Sequence, residues 1–322
     1  MSYTSEVKKE MSEIKIESDC CKMASLCATI NTLGSLVINR EGFTFSIKTD
    51  NQIVLDNVRN IIKSLYSETI IDVPVDEEVV GKCTLREIVV PKDIGNRILN
   101  DCGIVTLDES NNWKLNTSID HHIILEDCCK KTYIMTVFMC VGTISVPLTS
   151  DQDTEKNSKS GYHFELEFTN TEQAKAVGNL LGEFGFITRR VERSGKSVVY
   201  MKESESIADF VGFVGATRSY LRLQEEIVKR EMRNSINRQS NCISANIDKT
   251  VNASIVQMRA INTIEDTIGI DSLPEHLQKI ALLRKEHPDA SLIELVDLYG
   301  ENATKSGINY KLKRLVEIAQ KL

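Results

Sequence analysis

The chain has 322 residues, of which 41% are hydrophobic and 26% charged, with a formal net charge of −7. This is the composition of a globular protein long enough for two or three domains, and it excludes a fibrous or low-complexity chain. The acidity means that any nucleic-acid contact must come from a local basic surface, and the longest apolar run, near Tyr133–Val141, is far short of the roughly 20 residues that span a bilayer.

Residues 2–19 have the spacing of a short amphipathic lead-in helix, with Val7, Met11 and Ile14 on one side. They contain no apolar signal core, so a cytoplasmic location is expected. Cys20–Ile38 reads CCKMASLCATINTLGSLVI, apolar on nearly every face up to Gly34. A helix of that kind is buried by its surroundings, and glycine is the usual C-terminal stop. Ala24, Ala28 and Thr32, four apart, would let a second backbone come close. Strands are expected over Ser35–Asn39 and Phe43–Lys48, with Glu41-Gly42 as their turn. A helix over Ile53–Leu65, strands near Glu68–Val73 and Lys82–Val90, and a helix from Pro91 through Leu99 follow. Thr106–Ile119 reads as a linker, and Asp120-His121-His122 as part of a polar connection rather than a ligand pair.

The chain then repeats itself. At an interval of 108 residues, Cys20, Cys21, Lys22 and Gly34 recur as Cys128, Cys129, Lys130 and Gly142, within CCKKTYIMTVFMCVGTISVP. Two such helices in one chain predict a pair packed across a pseudo-twofold axis. Strands over Thr143–Leu148 and Tyr162–Thr169, a helix from Asn170/Thr171 through Phe184, a hairpin of Phe186–Glu192 and Lys196–Lys202, and a helix over Ile207–Val214 complete a second α-β-β-α-β-β-α unit. Residues 149–161 are a polar insertion in one hairpin.

From Thr217 the composition changes. Between Arg218 and Arg259, eight basic residues stand against four acidic ones, around an Asn-rich run at 237–250. The last segment has three helical patterns. The first is Pro274–Glu286, with Leu277, Ile280, Ala281 and Arg284 at helical spacing. The second opens on the capping box Ser291-Leu292-Ile293-Glu294 and stops at Gly300. The third runs from an N-cap at Ser306 to Leu322, with Ile308, Leu312, Leu315 and Ala319 inward. A short helix, a glycine-containing turn and a second helix with an apolar stripe is the helix-turn-helix pattern.

The duplicated unit, with Leu33-Gly34-Ser35-Leu36 and Val141-Gly142-Thr143-Ile144 at the ends of its buried helices, resembles the LAGLIDADG homing-endonuclease fold. Followed by a helix-turn-helix, it looks like the WhiA family of bacterial regulators. The likeness rests on Ser5-Glu6-Val7-Lys8, both Cys-Cys-Lys openings, Asn237-Arg238, Asn241-Cys242, Ala245-Asn246, Lys249-Thr250 and Lys305-Ser306-Gly307-Ile308-Asn309. The expected fold class is α+β: a pseudo-twofold LAGLIDADG-like αββαββα repeat, then an all-α helix-turn-helix domain. Its parts are expected at 1–19 (lead-in helix), 20–105 and 128–216 (the repeats), 106–127 (linker), 217–273 (basic helical linker) and 274–322 (helix-turn-helix). The resemblance implies transcriptional control tied to cell division, chromosome segregation and, in some lineages, sporulation.

The chemistry expected of these residues is binding rather than catalysis. Phosphodiester hydrolysis in this fold needs a carboxylate at the foot of each paired helix to hold a divalent metal, and Leu33 and Val141 stand there instead. The two Cys-Cys pairs invite a metal reading, since pseudo-symmetry could bring four thiols together, but the nine cysteines are expected to be free thiols in a metal-free core, because structural zinc draws on Cys-x₂₋₄-Cys spacing and adjacent helical residues point about 100° apart. No cofactor is expected. Double-stranded DNA, at promoter or chromosomal sites, is the expected partner, beside another regulator or a divisome-linked protein; no membrane contact is expected, and the location would be with the nucleoid. The residues expected at DNA are Lys305, Ser306, Gly307, Asn309, Tyr310, Lys311, Lys313 and Arg314, with Arg233, Asn237, Arg238, Asn241, Asn246 and Lys249 contributing from the linker. Three alternatives stay open: an active endonuclease, a nucleoid-associated protein without regulatory effect, and a protein-binding adaptor.

Overall fold

A computed structural model of the chain describes residues 2–39, 42–70, 72–74, 85–107, 113–147, 161–300 and 303–322. The chain divides into two compact units, Met1–Val228 and Lys229–Leu322. The first opens with α1 (Tyr3–Ser12) and then spells the same element order twice. One copy is α2 (Asp19–Leu33), β1 (Gly34–Asn39), β2 (Gly42–Thr49), α3 (Gln52–Tyr66), β3 (Asp72–Pro74), β4 (Arg86–Val89) and α4 (Lys92–Asp101). After β5 (Val105–Leu107) and β6 (Trp113–Leu115), the other is α5 (Asp127–Val141), β7 (Gly142–Ser145), β8 (His163–Phe168), α6 (Thr171–Glu183), β9 (Arg189–Arg193), β10 (Lys196–Met201) and α7 (Ser204–Phe213). Each copy builds a four-stranded antiparallel sheet, ordered β1-β2-β4-β3 and β7-β8-β10-β9, so the two share one topology.

The paired helices α2 and α5 form the seam between the copies. Every residue from Ala24 to Ile30 is buried, which is why this run carries so little polar character. Hydrogen bonds cross the seam: Asn31 Nδ2 donates to Tyr133 Oη at 3.0 Å, and Thr136 Oγ1 to Ser25 Oγ at 2.9 Å. Buried polar groups need such partners, since an unmet one costs about 1–3 kcal/mol. Beyond α5 an aromatic cluster fills the second copy. Phe138 stacks on Phe164 at 5.7 Å, and Phe210 meets both edge-on, at 5.3 and 4.6 Å.

The two glycines end the buried helices as expected, in an extended conformation: Gly34 and Gly142 have φ of −72° and −82°. Their role is space. A Cβ on Gly34 would lie 2.4 Å from Ile30 O, and one on Gly142 would lie 2.1 Å from Phe138 Cδ2. The chain leaves each helix straight into a strand, and only glycine clears the last turn.

Other expectations need correction. The lead-in helix ends at Ser12, so Ile14 lies beyond it and is exposed rather than on the Val7–Met11 face. Residues 106–119 are not a plain linker: β5 and β6 pair antiparallel, with Thr106 opposite Lys114. The strand expected at Glu68–Val73 is described only as Asp72–Pro74, and that expected at Lys82–Val90 as Arg86–Val89. Glu41, Cys83, Leu148 and most of the polar insertion lie outside the described residues. Asp120-His121-His122 is an ordered corner, where His122 bridges Asp120 Oδ1 at 2.8 Å and the carbonyl of Asp101 at 2.9 Å.

From Thr217 to Thr267 the chain is a single 51-residue helix, α8. Its first turns pack into the first unit through Leu223 and Ile227. Glu10 of α1 caps its start: its carboxylate accepts from the backbone N–H groups of Arg218 and Ser219, both at 2.8 Å, and from the Ser219 hydroxyl at 2.6 Å. A carboxylate is favoured at a helix N-terminus, where free N–H groups and the dipole converge. Burial works against the charge, but the Ser219 hydroxyl and the two N–H groups outweigh it, and the Glu10 pKa falls below its ordinary value. A depressed carboxylate pKa adds stability above the unfolded value, which is lost as pH falls through the folded one. Glu10→Gln is therefore expected to lower the thermal midpoint at neutral pH and to reduce its dependence on pH across the acid limb, as followed by melting between pH 3 and pH 7, a range placed by the unperturbed carboxylate value of about 4.3.

The second unit holds the rest of α8, α9 (Glu275–Glu286), α10 (Leu292–Tyr299) and α11 (Lys305–Ala319). Ile261 and Ile264 of α8 join Leu277, Ile280, Leu295, Ile308, Leu312 and Leu315 in one core. Ser291 and Glu294 form the expected capping box on α10, and Gly300 closes it with φ +104°. The cap of α11 differs from expectation. Thr304, not Ser306, is the N-cap: its hydroxyl accepts from Gly307 N at 3.1 Å.

Candidate nucleic-acid interface

The inward stripe of α11, Ile308, Leu312 and Leu315, is buried, and that burial dictates what the opposite side presents. Residues 305, 306, 310, 313 and 314 are exposed, Tyr310 to 70%. Asn309 is half-buried at the margin of the stripe. Lys305 and Lys313 have no ion-pair partner among the described residues. Ser306, freed from the capping role, lies on the exposed first turn, where unpaired backbone N–H groups suit an anion.

Two of the expected DNA contacts are already engaged inside the protein. Lys311 donates to Tyr299 Oη at 2.7 Å, and its ammonium lies 3.9 Å from the Tyr299 ring centroid. Lys279 lies over the same ring at 4.5 Å, so Lys311 helps fix α10 against α11. Arg314 pairs with Glu317 at 2.7 Å; both side chains are about half exposed, and a pair of that kind is held weakly. The basic linker residues Arg233, Asn237, Arg238, Asn241, Asn246 and Lys249 are all exposed on α8. Arg233, Asn237 and Asn241 recur every four residues and share a face.

One buried residue shapes the turn before α10. Arg284, only 2% exposed, donates through Nη1 to the carbonyls of Ala290 at 2.7 Å, Pro288 at 3.3 Å and His287 at 3.4 Å. Ser254 of α8 donates to the Pro288 carbonyl as well. The sequence signal was present, since Arg284 sits in the apolar spacing of α9, but its hydrogen-bonding role there is a tertiary matter.

At the foot of the paired helices, Leu33 and Val141 are half-buried and offer no oxygen ligand. Next to this foot is Lys8 of α1, whose ammonium lies 5.7 Å from the Phe138 ring and whose pKa is lowered by burial, against the raising influence of Cys140 and Asp50. Asp50, in the turn before α3, is a carboxylate near the foot that the sequence reading missed. It is exposed, and its charge favours the protonated form of Lys8. Two carboxylates converging on one cation, the arrangement that metal-assisted hydrolysis requires, are not found there among the described residues. A cleft of about 750 Å³ runs beside α2 and α5, and Glu17 is its single carboxylate among the described lining residues.

Fold and sites together define a class: a duplicated LAGLIDADG-like body joined to a helix-turn-helix. Family models match the chain as a WhiA N-terminal LAGLIDADG-like domain over residues 19–105, a WhiA LAGLIDADG-like domain over 130–233 and a WhiA C-terminal HTH domain over 236–319. A "Probable cell division protein WhiA" of Oceanobacillus iheyensis is 34% identical, covering 100% of this chain and 98% of the relative. One of Bacillus cereus is 33% identical, over 100% and 97%. A crystal structure of full-length DUF199/WhiA from Thermatoga maritima, 21% identical, has the same fold with a TM-score of 0.57, covering 100% of this chain and 99% of that one. The chain belongs to the WhiA family. No helix among the described residues is long and apolar enough to cross a membrane.

Proposed function

We propose that this chain is a sequence-specific DNA-binding regulator of transcription tied to cell division, without nuclease activity. The observation that carries the reading is the geometry of α11. Its buried stripe leaves Tyr310 and Lys313 exposed and Asn309, expected on the same outward side, half-buried at the margin of its N-terminal half, the part of a recognition helix that meets base edges. Asn309 has the amide for a bidentate contact to adenine, and Lys313, one turn on, reaches guanine or a phosphate. Lys305 and Ser306 hold the phosphate backbone, with Gly307 leaving room at the first turn. Arg314 exchanges Glu317 for a phosphate, whereas Lys311 stays on Tyr299. The exposed Arg233, Asn237, Arg238, Asn241, Asn246 and Lys249 add contacts from α8. The cell-division link rests on the names of the relatives. Leu33 and Val141 at the helix feet support the absence of cleavage, which incubation of the bound DNA with Mg²⁺ and Mn²⁺ checks.

The second sheet carries charge of both signs: on β8 Glu165 pairs with His163 and Glu167 lies 2.7 Å from Lys196, while Arg189, Arg190 and Arg193 of β9 are exposed. Base reading is assigned to α11, where Tyr310 and Lys313 are exposed.

The test is a set of binding isotherms at several salt concentrations on specific and scrambled duplexes. Asn309→Ala should cost about 1–3 kcal/mol on the specific site and leave scrambled DNA nearly unaffected. Lys305→Ala should weaken both alike and reduce the salt slope by about one phosphate contact. Equal losses on both duplexes for Asn309→Ala, with the fold intact, would show that this helix does not read bases.

A further inference from the structure

The duplicated Cys-Cys openings meet in space. The expectation of free thiols in a metal-free core rested on the Cys-Cys spacing and the divergence of adjacent residues on one helix, whereas the pairing of two helices brings the two pairs together. Cys20 and Cys21 are the second and third residues of α2, and Cys128 and Cys129 hold the same places in α5. The helices start side by side, and all four sulfurs lie within 4.8 Å of one another. Cys128 and Cys129 are 3.9 Å apart. Four thiolates at the Zn–S distance of about 2.3 Å form a tetrahedron with edges of about 3.8 Å. A contraction of about 1 Å on the longest edge converts one arrangement into the other.

We propose that Cys20, Cys21, Cys128 and Cys129 bind one zinc ion in a tetrathiolate site that clasps the two repeats at the N-terminal ends of their paired helices. The donor set selects the metal class: four sulfurs with no carboxylate or imidazole among them favour a soft, tetrahedral ion over Mg²⁺ or Ca²⁺. Every coordination position is filled by protein, the mark of a structural rather than a catalytic site. The surroundings fit the charge. Four thiolates and Zn²⁺ sum to −2, and the cluster sits at two helix N-termini, each equivalent to roughly half a positive charge. Binding forms four Zn–S bonds and releases the four thiol protons to solvent. Two of the sulfurs are exposed and two buried, so the ion has a route in from one side.

The site lies at the opposite end of α2 and α5 from Leu33 and Val141, roughly 18 Å away along the helix. It therefore fixes how the repeats cross and takes no part in phosphodiester chemistry. Its failure would leave the α11 reading untouched.

Full-length protein, purified under reducing, chelator-free conditions, should carry about one equivalent of zinc by elemental analysis. Replacing zinc with Co²⁺ should give thiolate-to-cobalt charge transfer in the near ultraviolet and the intense visible bands of tetrahedral cobalt. Cys20→Ser and Cys128→Ser, both at exposed positions, should lose the metal and weaken the cobalt spectrum, whereas Cys242→Ser, outside the cluster, should retain both. Chelation should lower the melting temperature of the wild type and not of Cys128→Ser. Absence of stoichiometric metal together with a cobalt spectrum lacking charge transfer would overturn the proposal, as would a disulfide among these cysteines in freshly prepared reduced protein. Because the cobalt experiment uses the wild-type chain, a variant that misfolds does not shield the idea.

Discussion

Gly142→Ala is expected to destabilise the first unit by about 3 kcal/mol, the upper range for forcing an extra methyl into a packed core. Its new Cβ would lie 2.1 Å from Phe138 Cδ2 and 2.6 Å from Phe138 O. The carbonyl belongs to the last turn of α5 and cannot move without unwinding it. Nor can the ring swing aside, being held against Phe164 and Phe210. The φ of −82° is acceptable to alanine, so the cost is contact rather than backbone strain. Gly182→Ala provides the control. Within α6 a Cβ there meets nothing within 4 Å, and the substitution should stabilise by about 0.4–1 kcal/mol by restricting the unfolded chain. Trp113 is the single tryptophan and packs on Phe43 in the first unit, at 5.0 Å. Its fluorescence in a urea titration reads that unit directly. Equal midpoints for Gly142→Ala and the wild type would refute the space argument.

The second large effect is expected in the other unit. Arg284→Met should destabilise it by about 2–3 kcal/mol, because charge-assisted hydrogen bonds to three carbonyls of one turn are lost while those carbonyls stay partly buried. Burial lowers the Arg284 pKa, which records a cost of keeping a charge there, and that cost offsets part of the hydrogen-bond gain. The offset is why the loss falls short of three full bonds. Arg284→Lys should recover only part of it, since a single ammonium cannot reproduce the planar fork. Far-ultraviolet circular dichroism should show the earlier transition while Trp113 fluorescence keeps its wild-type midpoint. Specific DNA binding should fail on warming at the same temperature as the dichroism. Coincident transitions by both probes, unchanged from wild type, would mean that Arg284 does not hold the turn.

Much of this protein is written in local patterns. The 108-residue echo, the all-round apolar helices and the shift to basic, Asn-rich helix predict a doubled αββαββα body and a three-helix tail, because periodicity and capping are properties of neighbouring residues. The strand order shared by both sheets follows from the same duplication. That Leu33 and Val141 offer no oxygen ligand at the helix feet is legible from residue type alone. The inward stripe of α11 was equally legible, and with it the outward placement of Tyr310 and Lys313.

What the chain alone could not show depends on partners distant in sequence. Gly34 and Gly142 read as ordinary stops until the neighbouring atoms defined the space they leave open. Lys311 reads as a phosphate contact until Tyr299 is seen beneath it, twelve residues earlier and one helix away. Glu10 becomes a helix cap only through residues more than 200 positions on. The four cysteines are the clearest instance. On a single helix adjacent sulfurs diverge, which argues against a shared ion, but two helices started in register bring both diverging pairs to one point. Sequence specifies the angle at which each side chain leaves its own helix. Only the packing of one helix against another specifies what that side chain meets.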